Sequence, residues 1–166
     1  MNRIIIIGNS GSGKTSLARK LSESRQTEVI HLDQLFWVTG GFNEKRPPEI
    51  VHAEIEEKKK APAWIVEGVF GELAERFTTR ADHLIWLDLP WEVCREGLLA
   101  RGSESSWQLD AAQAEENFAR LLRWAEEYWT RADLRSHSGH GRIFEAYPGA
   151  KFRIQNRAEL ELLPTA

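Results

Sequence analysis

The chain has 166 residues, of which 42% are apolar and 28% charged, a composition that excludes a disordered protein and predicts one globular domain, residues 1–166. Its net charge of −3 provides no basic surplus for nucleic-acid binding. A single cysteine, Cys94, excludes an internal disulfide, and the lack of a long apolar run predicts a cytoplasmic protein without a signal peptide or membrane span.

The first predicted strand, residues 3–7, runs directly into a phosphate-binding loop. Residues 8–15 read G-N-S-G-S-G-K-T, which matches the P-loop pattern G-x-x-x-x-G-K-[ST], and helical apolar spacing follows. Glycines let the backbone N–H groups point at phosphate oxygens, and the N-terminus of the following helix adds its positive dipole end. We therefore predict an ATP site formed by Gly8, Ser10, Gly11, Ser12, Gly13, Lys14, Thr15 and Ser16.

Two residues of this loop have individual predicted roles. Lys14 is expected to reach the β- and γ-phosphates as a catalytic contact, and Thr15 is expected to hold Mg²⁺. The predicted cofactors are therefore ATP and Mg²⁺. The alternative explanation, a flexible Gly/Ser-rich connector, does not account for the strand before the loop and the helix after it.

Four further buried strands are predicted at residues 28–32, 64–66, 83–87 and 151–154, with helical patterns between them. This alternation predicts an α/β fold in which helices cover both faces of a parallel sheet and ligands bind at the carboxyl ends of the strands. Three acids, Asp33, Glu67 and Asp88, follow such ends. They predict one shared site, in which we expect Asp88 to cap a helix or order a loop rather than bind metal.

The segment after the second strand, residues 34–62, is predicted to be an acceptor-binding insertion. It contains a loop marked by glycine and proline and then a charged helix. Phe36 and Trp37 follow Asp33 in this segment, where they either stack on a substrate ring or belong to the core. Lys58, Lys59 and Lys60 fit the solvated end of that helix better than a nucleic-acid patch.

A helix pattern after Pro90 runs to Arg101 and places Cys94 as a small buried hydrophobe. The long helix that follows carries an apolar stripe predicted to face the core: Phe118, Leu121, Leu122, Ala125, Trp129 and Ala132. Arg120 and Arg123 lie on its other side, either on a salt-bridged solvent face or in the phosphate cleft. Residues 136–141 are predicted to form a turn, because their two histidines lack the partners of a metal site.

The order of these motifs resembles the adenylate-kinase-like small P-loop kinases. The motifs are the P-loop, H-L-D-x-x-F-W at residues 31–37, W-I-V-E-G at 64–68 and L-I-W-L-D-L-P at 84–90. The second of them is similar, more narrowly, to the bacterial DNA topology modulation proteins. The resemblance covers nearly the whole chain and implies a three-layer αβα fold, a five-stranded parallel sheet in the order 2-3-1-4-5, and a short lid at about residues 102–115.

The resemblance also implies roles on the donor side of the site. Arg101 matches the arginine that ends the helix before the lid. Arg120 or Arg123 would enter from the helix after the lid, so these arginines are predicted to clamp the transferring phosphoryl group. Glu67 stands where such kinases carry an aspartate that organises Mg²⁺-bound water, and its side chain is one methylene longer.

On the acceptor side, the resemblance implies that Gly68 binds the substrate. Adenylate kinases continue with G-F-P-R at this point, whereas residues 68–71 read G-V-F-G. Arg80 is predicted either to supply the missing contact to the acceptor phosphate or to be structural. Asp33 is predicted to be a base for an acceptor hydroxyl, an acceptor anchor, or a ligand of Mg²⁺-bound water.

These features predict an ATP- and Mg²⁺-dependent phosphotransferase that moves the γ-phosphoryl group to a small acceptor such as a nucleoside monophosphate. Two alternatives remain. One is an NTPase that hydrolyses its nucleotide without an acceptor. The other is a nucleotide-binding regulator that contacts DNA, for which this mildly acidic chain offers no basic stripe. The sequence carries no marker of oligomeric state.

Overall fold

Five parallel strands form the centre of the protein in the order β2-β3-β1-β4-β5. They are β1 (Arg3–Gly8), β2 (Val29–His31), β3 (Trp64–Gly68), β4 (His83–Leu87) and β5 (Ala150–Ile154). The computed structural model describes residues 2–102 and 110–163. Strand order and fold class confirm the prediction, and the predicted strand ends agree to within two residues.

Helices connect these strands and cover both faces of the sheet. They are α1 (Lys14–Arg25), α2 (Leu32–Phe36), α3 (Pro48–Lys58), α4 (Gly71–Phe77), α5 (Trp91–Arg101), α6 (Ala111–Glu126), α7 (His137–Ala146) and α8 (Arg157–Glu161). Among the described residues, no helix has the length and apolar character that crossing a membrane requires. Half of the predicted lid, residues 103–109, lies outside the described residues.

The core lies in two layers, one on each face of the sheet. Side chains alternate along a strand, so Ile5 and Ile7 of β1 pack in one layer and Ile4 and Ile6 in the other. All four are fully buried, as a strand covered on both faces requires. Cys94 belongs to the second layer, as predicted, and burial raises the pKa of its thiol to about 11.

The P-loop packs closely against α5. Gly11 has a φ of 78°, which favours glycine, and a Cβ atom added there would lie 2.1 Å from the carbonyl oxygen of Cys94. On the facing side, a Cβ added at Gly97 would lie 2.2 Å from the carbonyl oxygen of Gly11. Both contacts involve backbone atoms, so the neighbouring side chains cannot relieve them by changing rotamer.

We therefore expect Gly97→Ala to destabilise the fold by about 1–3 kcal/mol, the usual cost of overpacking, although alanine has the higher helix propensity. The same clash should displace the phosphate-binding loop and weaken ATP binding. Thermal unfolding and calorimetric titration with ATP measure the two effects. Arg95→Ala, at an exposed position of the same helix, is the matched control. An unchanged Tm together with unchanged ATP affinity would contradict the expectation.

The long helix ends before the predicted apolar stripe does. α6 stops at Glu126, and a 3-10 turn, Glu127–Trp129, changes the angular position of the residues that follow. Ala125 is buried, as predicted, but Trp129 is 37% exposed while Tyr128 is fully buried in its place. The predicted core position is therefore wrong for Trp129 and also for Ala132, which is exposed.

The predicted turn at residues 136–141 is also wrong, because α7 begins there. Ser136 is the N-cap of this helix, and its hydroxyl oxygen accepts a hydrogen bond from the backbone N–H of Gly139 at 3.1 Å. The glycines and serines of this segment are typical of turns, but a capping serine at the right position starts a helix equally well.

Candidate active site

A cavity of about 660 Å³ lies at the carboxyl ends of β1 and β3. Its donor side consists of the P-loop residues Ser10, Gly11, Gly13, Lys14, Thr15 and Ser16. Its other walls include several residues singled out from the sequence: Asp33, Trp37, Glu67, Gly68, Arg101 and Arg120. The fold thus brings residues from five separate chain segments to one place, at the sheet edge where parallel α/β folds bind ligands.

Lys14 lies buried within the P-loop. Its Nζ donates a hydrogen bond of 2.7 Å to the carbonyl oxygen of Asn9, and the Asn9 side chain donates to the carbonyl oxygen of Ala125 at 2.9 Å. Burial lowers the pKa of the Lys14 ammonium, and the nearby Glu67 and Asp33 carboxylates oppose that shift. The Asn9 contact also fixes the loop to the last turn of α6.

The loop suits a phosphate group. The Ser12 hydroxyl oxygen, at the centre of the loop, is buried and has no hydrogen-bond partner among the described residues. A buried polar atom without a partner is costly, and a bound phosphate would give this hydroxyl an acceptor. Lys14 and the N-terminus of α1 add positive charge beside it.

Glu67 joins three elements of the site. Its Oε1 accepts a hydrogen bond from Thr15 Oγ1 at 3.1 Å and another from His31 Nδ1 at 2.6 Å. His31 is the parallel-sheet neighbour of Glu67, which explains the contact. The sequence analysis missed His31, because only the pairing of β2 with β3 brings it here.

This network keeps Glu67 ionised. Burial alone raises the pKa of the carboxyl, but the hydrogen bonds from His31 and Thr15 and the charge of Lys14 outweigh it and lower that pKa. The hydrogen bond to Glu67 in turn raises the pKa of His31. An ionised carboxylate beside a threonine hydroxyl is a hard oxygen donor set, so Thr15 and Glu67 fit Mg²⁺.

Asp33 and Trp37 form part of the cavity wall outside the P-loop. Asp33 is exposed in the first turn of α2 and lines the cavity, as does Trp37. Phe36 lies behind them: its ring stacks on Phe70 at 4.3 Å and meets the Trp37 ring edge-on at 4.7 Å. Of the two aromatic residues predicted to contact a substrate, Trp37 is therefore the one on the cavity surface.

Arg135 also lines this wall and was missed by the sequence analysis. Its guanidinium carbon lies 4.6 Å from the centre of the Phe36 ring and 4.7 Å from that of Phe70. Its Nε donates a hydrogen bond to Glu72 Oε1 at 2.7 Å, and its Nη2 forms an ion pair with the same oxygen at 2.5 Å. Arg135 is thus a cation held in place in the cavity wall by Glu72 and two aromatic rings.

Two of the predicted arginines lie elsewhere. Arg80, predicted either to contact the acceptor or to be structural, is not part of the cavity lining: it is exposed just after α4, where Asp82 N already bonds the carbonyl oxygen of Arg3 at the start of β1. α4 has returned the chain to the amino edge of the sheet by that point. Arg123 is exposed and not part of the cavity lining, because it lies about 60° further round α6 than Arg120.

Asp88 orders the loop after β4. Its carboxylate accepts hydrogen bonds from Arg153 at 2.6 and 2.9 Å, and it pairs with His137 Nε2 at 3.0 Å. α5 begins after Pro90 without a side-chain cap. Asp88 is therefore a loop-ordering residue, one of the two roles expected for it, and it is not part of the cavity lining.

Comparisons with known proteins show which sequences and folds this chain is similar to. No family model matches the chain. A shikimate kinase of Corynebacterium diphtheriae is 26% identical over 148 residues, which cover 81% of this chain and 84% of the relative. The structure of a shikimate kinase from Acinetobacter baumannii in complex with shikimate superposes with a TM-score of 0.55 at 14% identity, covering 98% of this chain and 93% of that one.

A gluconokinase from Sinorhizobium meliloti superposes with a TM-score of 0.50 at 18% identity, covering 95% of this chain and 86% of that one. The fold is therefore that of the small P-loop kinases. Taken with the sequence relatives, it supports a nucleotide-dependent phosphotransferase as the class of this protein. The narrower resemblance to DNA topology modulation proteins stays a prediction.

Proposed function

We propose that this protein transfers the γ-phosphoryl group of ATP to a hydroxyl group of a small acceptor. The observation that carries the proposal is that one cavity holds both the P-loop, with its buried Lys14, and the Asp33 carboxylate. A protein that only binds or hydrolyses a nucleotide does not need a second half of the site for an acceptor. In this cavity the second half contains the Asp33 carboxylate, the Arg135 guanidinium and the Trp37 ring.

On the donor side, the loop amides, Ser12 and Lys14 would bind the β- and γ-phosphates. Thr15 and Glu67 would hold Mg²⁺, which when bound neutralises charge on the phosphate oxygens. In a loose transition state, charge spreads over the γ-phosphoryl oxygens and onto the departing ADP. Lys14 is positioned to stabilise that charge, and its burial makes the interaction stronger than it would be in water.

On the acceptor side, Asp33 would accept the proton of the acceptor hydroxyl as its oxygen attacks the γ-phosphorus. The new O–P bond forms while the bond between the γ-phosphorus and the β-phosphate oxygen breaks, and ADP leaves. Arg135 would meet an acidic group of the acceptor. The similar proteins are named as a shikimate kinase and a gluconokinase, and shikimate and gluconate are both hydroxylated acids. We therefore favour a hydroxylated acid as the acceptor over the nucleoside monophosphate expected from the sequence.

The test is ADP release in a coupled assay with a panel of acceptors at fixed ATP and Mg²⁺. The panel comprises hydroxylated carboxylic acids, neutral sugars, nucleosides and nucleoside monophosphates. We expect turnover to depend on an acceptor and to be fastest with a hydroxy acid. Turnover that no acceptor stimulates would favour the NTPase instead. Tight DNA binding that weakens steeply with salt would favour the DNA-contacting regulator.

The open alternatives for the arginines of α6 can be tested in the same assay. Arg120 lines the cavity, so Arg120→Ala should lower kcat by about 10²-fold, the usual cost of losing a group that stabilises transition-state charge. Arg123→Ala should change kcat by about twofold or less, as is usual for an exposed substitution. Equal losses of kcat in Arg120→Ala and Arg123→Ala would contradict the expectation that only the arginine lining the cavity contributes to turnover.

A further inference from the structure

A chain of buried hydrogen bonds joins β4 to the segment that follows β3. Trp86 Nε1 lies 3.1 Å from Tyr128 Oη, and that oxygen lies 2.8 Å from His140 Nδ1. The other ring nitrogen, His140 Nε2, lies 2.9 Å from the carbonyl oxygen of Val69. Tyr128 and His140 are fully buried, and Trp86 is nearly so. The proposed reaction does not use any of these side chains.

The direction of every hydrogen bond in this chain is fixed. An indole N–H can only donate, so the Tyr128 oxygen accepts from Trp86. A carbonyl oxygen can only accept, so His140 Nε2 carries a proton and donates to Val69. Burial lowers the pKa of His140 to about 3, which keeps the ring neutral. A neutral ring with its proton on Nε2 has none on Nδ1, so Nδ1 accepts from the Tyr128 O–H.

The hydrogen bond from His140 to the Val69 carbonyl holds a part of the cavity wall that strand pairing does not reach. The ladder between β1 and β3 ends at Gly68, so Val69 is one residue beyond the last paired position. Residues 68–70 all line the cavity, and Phe70 carries the stacked Phe36 ring and the contact to Arg135. The Val69 carbonyl is held by His140, which is fully buried and not part of the cavity lining, so the wall of residues 68–70 is anchored from behind.

We propose that His140 is a positioning residue for the acceptor side of the cavity, which it shapes by holding the Val69 carbonyl through its Nε2–H group. The kinetic test of this role rests on the proposed function, because it measures the binding of an acceptor. His140 touches neither ATP nor acceptor in this scheme. The residue sets where the wall of residues 68–70 stands relative to Asp33 and Arg135.

Two isosteric substitutions separate positioning from general packing. Glutamine places an amide N–H near the Nε2 position of histidine and can still donate to Val69, whereas asparagine reaches only the Nδ1 position. We expect His140→Asn to raise the acceptor KM about tenfold, as for loss of a buried hydrogen bond, while the ATP KM stays within about twofold. His140→Gln should recover most of the acceptor affinity.

The control is Tyr147→Phe, which removes another tyrosine hydrogen bond, the part-buried one from Tyr147 Oη to the carbonyl oxygen of Ala81 at 2.9 Å; neither residue lines the cavity. It should lower Tm without changing the ratio of the two KM values. If His140→Asn does not fold, Tyr128→Phe serves instead, because it frees His140 Nδ1 from its donor and should raise the acceptor KM in the same way. Equal changes in both KM values would overturn the proposal.

A second measurement does not depend on activity. In the ¹⁵N NMR spectrum of the wild-type protein, His140 should show the neutral Nε2–H tautomer throughout pH 5–8. The amide signals of Gly68 and Phe70 should shift in His140→Asn and return in His140→Gln. The Nδ1–H tautomer, or amide shifts that do not follow the variant, would overturn the positioning role even if no acceptor is ever phosphorylated. Loss of acceptor turnover with these NMR results intact would instead count against the proposed function.

Discussion

Replacement of Lys14 by alanine is expected to abolish detectable phosphoryl transfer. Lys14 is the buried cation of the P-loop, and its loss removes the charge that, in the proposed reaction, would stabilise the transferring group and the departing ADP. We expect kcat to fall by about 10³-fold, at the upper end for loss of a single transition-state contact. Single-turnover measurement of the phosphorylated acceptor distinguishes this loss of chemistry from a loss of binding.

Lys20→Ala is the matched control for this experiment. Lys20 lies on the same helix, α1, but is exposed to solvent, so its replacement should leave kcat unchanged. Thermal unfolding should be measured for both variants, because Lys14→Ala leaves the Asn9 carbonyl oxygen without its hydrogen bond from Nζ and can lower the Tm. Turnover retained by a folded Lys14→Ala protein, purified free of other kinases, would remove the assignment to phosphoryl transfer.

The second large effect is expected from Asp33→Asn. Asparagine keeps the size of the side chain and one acceptor oxygen but cannot take up a proton. If Asp33 is the base, kcat should fall by about 10²–10⁴-fold while both KM values stay close to those of the wild type. The measurement is steady-state kinetics with the acceptor that the panel identifies, together with calorimetric titration of ATP in the presence and absence of Mg²⁺.

The same variant separates the three roles that the sequence leaves open for Asp33. An anchor would show itself as an increase in the acceptor KM with kcat largely retained. A ligand of Mg²⁺-bound water would show itself as weaker ATP binding only when Mg²⁺ is present. Glu49→Gln, an exposed carboxylate in the first turn of α3 within the acceptor segment, is the control. We expect the pattern of a base, since Asp33 lines the cavity that the P-loop opens into.

The sheet and the donor half of the site could be predicted because their signals are local. Four consecutive isoleucines before a P-loop motif define a buried strand and the turn that follows it, whatever the rest of the chain does. The register of parallel strands then brings Glu67 beside Ile6 without further information. The position of Arg101 at the end of a helix also follows from the local pattern, whereas its place in the site was expected only from the resemblance to small P-loop kinases.

The acceptor half could not be predicted in the same way, because its residues meet through tertiary contacts. Arg135 is far from Phe36 and Phe70 in the chain, and no residue near it in sequence signals that it packs on two aromatic rings. Arg80 lies outside the cavity lining because the direction of α4, and not the distance along the chain, decides which edge of the sheet a residue reaches. His140 was assigned to a turn because the cap that starts α7 uses the same residue types as turns.

The order of the strands gives the two halves of the site different mechanical support. β1 is the central strand, paired on both sides, and its side chains enter both core layers, so the P-loop is attached to a strand that is held on both edges and both faces. β2, from which Asp33 and Trp37 extend, is an edge strand that pairs only with β3. The exposed side chain of Asp33 can therefore change with little effect on the core, whereas Leu35, Val51 and Ile55 of the neighbouring segment belong to that core. A change of acceptor specificity through exposed residues after β2 should therefore have little effect on the stability of the P-loop and the strands that support it.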